Sequence, residues 1–212
     1  MSDNGQQVPL AIRAYHFVGD ELRDGRPVPP VGEWLVHDGP MVMCKSGLHA
    51  SRHPFDALTY APGPILCLVD CDEIAAEDAD KLVCRRRRIV ARFDATTILR
   101  AFARRCALEV IHLWQAPQVV RKYLTTGDES LRADAARAAA WDVAYAVSDA
   151  ARYAASAAVS DAAASDAARD AAWDAAYAVS DAARAAERAA QRERFARLIA
   201  DYLAGYEHRE DE

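Results

Sequence analysis

The sequence predicts an α+β protein in two unlike parts: a small mixed or antiparallel sheet with short helices over residues 8–127, followed by a long alanine-rich helical segment over 128–204. Three observations predict it. Residues 128–204 hold 33 alanines in 77 positions, with no Gly or Pro between Gly127 and Gly205, whereas all nine Pro and all five Cys precede them. Apolar, β-branched runs of strand length alternate with Gly- and Pro-bearing turns in the first part only. Charge divides at the same place, with 16 Lys+Arg against 15 Asp+Glu up to Gly127, and 10 against 17 from Asp128 onward. Residues 1–7 read as a disordered N-terminus and 205–212 as an acidic tail.

Composition narrows the function classes. A net charge of −6 argues against general nucleic-acid binding. The cysteines at 44, 67, 71, 84 and 106 form no C-x-x-C and meet no His pair at ligand spacing, so neither a metal site nor a cofactor is expected. No basic leader precedes an apolar run, and no apolar stretch of about 20 residues exists to span a bilayer. A cytoplasmic, thiol-reduced protein without membrane contact is the expectation.

The elements follow in order. Val8 to Val18 is rich in β-branched and aromatic residues and ends at a Gly-Asp turn, which predicts the first strand. Glu33–His37 and Met41–Cys44 predict short strands joined by the Asp38-Gly39-Pro40 turn, with Lys45-Ser46-Gly47 turning the chain again. Pro54 suits a first helical position behind Ser51 or His53 as cap, and Phe55, Leu58 and Thr59 keep helical spacing. The helix stops at Pro62-Gly63-Pro64, and the apolar run Ile65–Val69 predicts the central strand. Lys81–Phe93 predicts a further strand. Thr96 or Thr97 would cap a helix to about Leu113 with Ile98, Phe102, Cys106, Val110 and Leu113 on one face, and Pro117–Leu124 a shorter helix.

In the alanine-rich segment nothing breaks a helix, and 77 residues at the helical rise would make a rod of roughly 115 Å. Asp-Ala-Ala-Arg recurs at Asp134, Asp149, Asp166 and Asp181, and the motif from Trp141 to Arg152 returns from Trp173 to Arg184. At 100° per residue, Trp141, Tyr145, Val159, Trp173, Tyr177, Phe195, Ile199 and Tyr202 fall on one stripe. Aromatic surface of that extent needs cover. The expected cover is a second copy, so these residues are the candidate homo-oligomer interface, coiled-coil-like in role; a fold-back with its bend near Ser160 to Ser165 and a different partner are the alternatives.

Candidate ligand contacts lie in the first part. His16 sits on the first strand between Tyr15 and Phe17, and His49 follows the Gly47 turn; each could meet a phosphate or carboxylate, or serve as a structural imidazole that bonds a backbone carbonyl. Arg85–Arg88 place two guanidinium groups on each face of a strand, and both faces cannot bury unpaired ones. Arg86 and Arg88 are the preferred phosphate contacts, and Tyr60 is a further ligand-binding candidate. Pairing with the acids at Asp70 to Asp80 is the competing reading.

The stretch Cys44-Lys-Ser-Gly-Leu-His-Ala-Ser51, followed by Pro54, Asp56, Ala57, Leu58 and Tyr60, resembles a family of uncharacterised domains common in bacteriophage genomes, whose hallmark is similar to C-x-S-G-[FL]-H-A … P-x-D-x-L-x-Y. The resemblance covers roughly residues 13 to 115 and implies a fold and a phage setting, hence the cytoplasm of a host bacterium, with no mechanism attached. The order of parts also resembles ADP-ribosyltransferases, which implies His16 as a contact to a nicotinamide dinucleotide. His49 then stands where that family has a Tyr, and Lys81–Phe93 offers no Glu to orient ribose. The function expected is a non-enzymatic binding module for a host protein or a small phosphorylated ligand such as a nucleotide signal, multimerised by its helical segment and acting in counter-defence. An ADP-ribosyltransferase-like enzyme acting on NAD is the alternative.

Overall fold

A computed structural model describes residues 11–145, 164–178 and 181–210. They form two compact units, residues 11–60 with 65–93 and residues 61–64 with 94–210. The division thus falls after Phe93, whereas the sequence reading drew its boundary at Gly127.

The first unit is an antiparallel five-stranded sheet. Its strands are β1 (Ile12–Val18), β2 (Trp34–Val36), β3 (Leu48–Ala50), β4 (Ile65–Glu77) and β5 (Leu82–Asp94), with the helix α1 (Pro54–Leu58) packed against β1. They run in the order β1-β4-β5-β2, and β3 also pairs with β5. Tyr15 and Ser51 exchange both backbone hydrogen bonds, at 2.8 and 2.9 Å, so the chain leaving β3 returns to β1 and the sheet curls towards closure. Ala14, Val18, Leu48, Ala50, Cys67, Val69, Cys71, Leu82, Cys84 and Ile89 fill the resulting inner face. Eight of the ten are small or β-branched and the other two are leucines, which suits strands packed around a narrow interior.

Three local details differ from the sequence reading. Met41–Cys44 is no strand: Lys45 N–H closes on the Val42 carbonyl at 3.0 Å and Cys44 takes a left-handed φ of 63°, so the chain turns where continued extension was expected. Leu48–Ala50 is the strand instead. The α2 cap is Ala95, with Thr96 already helical; Asp94 Oδ1 accepts the Thr96 N–H at 2.8 Å, which removes the need for a threonine hydroxyl there. The His53 ring does cap α1, accepting the Phe55 N–H at 3.2 Å, with Pro54 in the first turn.

Alternation along β5 slips midway. Cys84 faces inward opposite Leu48, and Arg87 pairs with Leu35, which packs against the same core cluster. Two residues three apart therefore share a face, which strict alternation forbids. Glu73 on the neighbouring strand has φ 53°, the mark of a bulge at this level of the hairpin.

The second unit is helical: α2 (Thr96–Val110), α3 (Gln118–Thr126), α4 (Arg132–Tyr145), α5 (Ala164–Ala178) and α6 (Asp181–Glu210). Gly127, at φ 68°, ends α3 in the left-handed conformation. Ile98, Phe102, Cys106 and Val110 are buried, as their spacing predicts. The helix α5 lies along α2 with Ala171, Ala172 and Ala175 buried, their small side chains allowing close approach. From the other side, α6 runs back on α5: Gln191 Nε2 donates to the Ala172 carbonyl at 3.0 Å, and Phe195 meets Phe102 edge-on at 4.9 Å.

A single rod over 128–204 is therefore not what these residues form, because α6 folds back on α5 where the apolar surface of α2 offers cover within the same chain. The bend expected near Ser160 to Ser165 falls largely on 146–163, outside the described residues, as does Val159. Phe195 and Ile199 are buried inside this unit, Tyr177 and Tyr202 are half-buried, and Trp173 is 51% exposed. Trp141 and Tyr145 belong to α4 by backbone. No helix among the described residues is long and apolar enough to cross a membrane.

Candidate anion-binding site

Four arginines in succession on β5 face a hairpin partner rich in acids. Arg88 donates through Nε and Nη2 to Asp70 Oδ2 at 3.0 and 2.9 Å, and Arg13 Nε donates to Asp70 Oδ1 at 2.8 Å. Arg86 Nη1 reaches Asp72 Oδ2 at 3.1 Å, and Arg85 meets Glu73 at 3.4 Å while donating to the His37 carbonyl at 2.9 Å. Trp34 lies beside both even-numbered arginines, its ring centre 4.6 Å from the Arg86 guanidinium and 4.9 Å from that of Arg88. Arg86 and Arg88, the arginines singled out from sequence, are thus held by carboxylates and an indole.

Arg87 differs from its neighbours. It is 7% exposed, and among the described residues its one hydrogen bond runs from Nη1 to the His49 carbonyl. No carboxylate among the described residues pairs with it, and the thiols of Cys71, Cys84 and Cys67 would favour its charge only as thiolates. Burial lowers its pKa from the usual guanidinium value, although arginine keeps its proton. The side-chain polar atoms sealed without a partner, among the described residues, are Trp114 Nε1 and Gln191 Oε1.

His16 belongs to the same face, opposite Cys67 in the β1–β4 register. Its ring has no hydrogen-bond partner among the described residues. Burial first, and then the positive charge of Arg87, hold its pKa well below 6.5, with His49 and Arg23 adding to the effect. A neutral imidazole therefore sits within the field of a buried cation. Around them the thiols respond to the same surroundings: burial pushes Cys67 up to about 11, and the hydrogen bond between Cys71 and Cys84 raises the first and lowers the second.

The His49 ring has a local task. Nε2 accepts the Cys44 N–H at 3.0 Å, and a hydrogen bond to the Gly47 backbone occupies the ring further. Both partners lie in a turn with left-handed backbone at Cys44 (φ 63°) and Gly47 (φ 112°), so the imidazole fastens a strained loop. This is the structural alternative weighed for it from sequence. Tyr60 donates to Asp80 and accepts from Lys81 Nζ at 2.9 Å, at the turn between β4 and β5.

Arg87 and His16 thus both lie on the inner face of the sheet, and among the described residues no carboxylate pairs with Arg87. The flanking apolar residues leave the inward pair open, with Val83, Ile89 and Phe93 in step with Arg87 and Leu82, Cys84 and Val90 in step with Arg86; the slip in β5 turns Arg87 inward. One signal was available, since Asp70 and Asp72 share the two-residue spacing of Arg86 and Arg88 across a hairpin. Among the described residues no group of three His, Cys, Asp or Glu side chains is placed to hold a metal ion.

Comparison with known proteins places these elements in a family context without an activity. No curated protein and no solved structure matches the chain. A family model does match from β1 to the first turns of α2, a span that contains His16, His49 and Arg87: a domain of unknown function, DUF7666, covers residues 12–101.

Proposed function

We propose that the sheet unit is a non-enzymatic binding module whose ligand is a small phosphorylated molecule, held by its phosphate against Arg87. One observation carries this reading. Arg85, Arg86 and Arg88 each have a carboxylate partner, and Arg87, the most buried of the four, has none among the described residues. Removing a charge from water without a counter-charge costs several kcal/mol. A site that keeps such a group is organised for an anion brought from outside, and a phosphate supplies two oxygens to the planar donor edge. Recognition of this kind needs only one copy of the unit.

An ADP-ribosyltransferase-like reaction draws no support from this arrangement. The inner face near His16 and Arg87 presents thiols and aliphatic side chains, and an oxocarbenium-like transition state calls for a carboxylate.

The test is binding of a panel of nucleoside mono-, di- and triphosphates, followed by thermal shift and calorimetry on the full chain. Saturable binding that is lost in Arg87→Met and kept in Arg88→Met supports the proposal. Equal behaviour of the two variants, or no binding by the unaltered protein, overturns it.

A further inference from the structure

We propose that two copies of this chain pair through the open edge of β2, antiparallel about a twofold axis at Leu35, so that the sheet of one copy continues into that of the other. This pairing is independent of the ligand reading, and its failure leaves that reading standing. Ladder geometry leads to it. β2 ends the strand order β1-β4-β5-β2, so among the described residues only one of its edges is paired. On that edge Leu35 stands opposite Arg87, and the His37 N–H donates to the Arg85 carbonyl at 2.9 Å. Backbone groups alternate in direction along an antiparallel strand. Leu35 and His37 therefore turn theirs to β5, and Trp34 and Val36 turn theirs away. Among the described residues no strand and no backbone hydrogen bond takes up the Trp34 or Val36 groups.

Edge strands are ordinarily guarded by charge, proline or a bulge. β2 reads Trp-Leu-Val and carries neither charge nor proline; its guard is a length of three residues. Apolar surface accompanies the open backbone groups, for Val36 is 44% exposed and Val31, just before the strand, is 53% exposed. Trp34 and Val36 share one face of the sheet, two residues apart.

A second copy supplies the strand that fits. With Leu35 on the axis, Trp34 of each copy lies opposite Val36 of the other. The Trp34 N–H donates to the Val36 carbonyl of the second copy, whose Val36 N–H donates back to the Trp34 carbonyl. Symmetry repeats the exchange on the other side of the axis, so all the outward groups of both strands are used. Each exposed Val36 then lies beside the indole of the other copy, and no like charges meet within the two strands. The contact is the same patch twice and closes at a dimer. Being short, it belongs with the small, readily reversed interfaces.

The test is analytical ultracentrifugation of the full chain from about 10 μM to 1 mM, a range that reads weak association. A reversible monomer–dimer equilibrium is expected. Val36→Pro deletes an N–H that the pairing needs and the β5 ladder does not, and Val36→Lys puts charge on the edge. Each is expected to raise the dissociation constant roughly tenfold or more, with the urea unfolding midpoint unchanged. Should Val36→Pro fail to fold, Val36→Lys decides. Register is read by NMR on a mixture of ¹³C-labelled and unlabelled chains, where a filtered NOE between the Leu35 Hα protons of the two copies is expected. A monomer at every concentration, a dimer indifferent to the Val36 variants, or a dimer without the Leu35 contact overturns the proposal.

Discussion

Arg87 donates to the peptide carbonyl of His49, so the buried cation of β5 is tied to the backbone of β3, while the His49 ring fastens the turn that precedes that strand. The Arg87 guanidinium and the Gly47 turn are thus coupled through one residue, whose carbonyl serves the first and whose imidazole serves the second.

Replacing Arg87 by Met removes a buried charge and one hydrogen bond together. The free protein is expected to hold its stability or to gain up to about 2 kcal/mol, as when buried charges give way to apolar side chains of similar volume. Urea unfolding without added anions measures this. A loss beyond about 2 kcal/mol would mark Arg87 as a structural residue and count against its role as a receptor for ligand.

The two histidines predict how stability depends on pH. Both His16 and His49 have folded-state pKa values below the ordinary 6.5, with burial as the first cause. The unfolded chain therefore binds protons that the folded one refuses. Stability is full above pH 6.5 and falls as pH drops from there towards the folded values, with a slope of at most about 1.4 kcal/mol per pH unit for each histidine. Urea unfolding between pH 5 and 8 should show the decline, and His16→Asn should flatten its share. A stability that rises on acidification over this range contradicts the assignment.

Gly47 is required by both its backbone and its surroundings. Its φ of 112° disfavours any side chain, and a Cβ there would stand 2.5 Å from Val83 Cγ2. Gly47→Ala is expected to cost about 2 to 4 kcal/mol. Since the same turn carries the Cys44–His49 bond, the thiol of Cys44 should label faster in the variant; an unchanged unfolding midpoint would contradict this account.

In the helical unit, Phe195 is fully buried and packs edge-on to Phe102 at 4.9 Å. Phe195→Ala is expected to destabilise that unit by about 3 to 5 kcal/mol, from lost transfer energy and the cavity left behind. Trp173, 51% exposed, should by contrast tolerate Ala within about 0.5 kcal/mol. Similar losses at the two positions, by helical ellipticity against temperature, would contradict the fold-back of α6 on α2 and α5.

Several features were legible in the chain itself. Apolar, β-branched and aromatic runs located β1, β2, β4 and β5, and the helical spacing of Ile98, Phe102, Cys106 and Val110 fixed the buried face of α2. Pro54 with His53 marked the start of α1. Such signals survive because each concerns neighbours in sequence, where bond geometry leaves few choices. The path of the alanine-rich segment was not legible in this way, since alanine favours a helix without saying what the helix packs on.

The amino-acid sequence by itself determined that four arginines stand on one strand opposite a run of acids, and that two histidines lie near turns of the same small sheet. Only the tertiary structure decided which arginine has no carboxylate partner among the described residues. Asp70 and Asp72 take Arg88 and Arg86, and the slip in β5 turns Arg87 to the inner face beside His16. A one-residue change of register moves every following side chain to the opposite face, and that change is set by pairing between strands that meet only after the chain has folded.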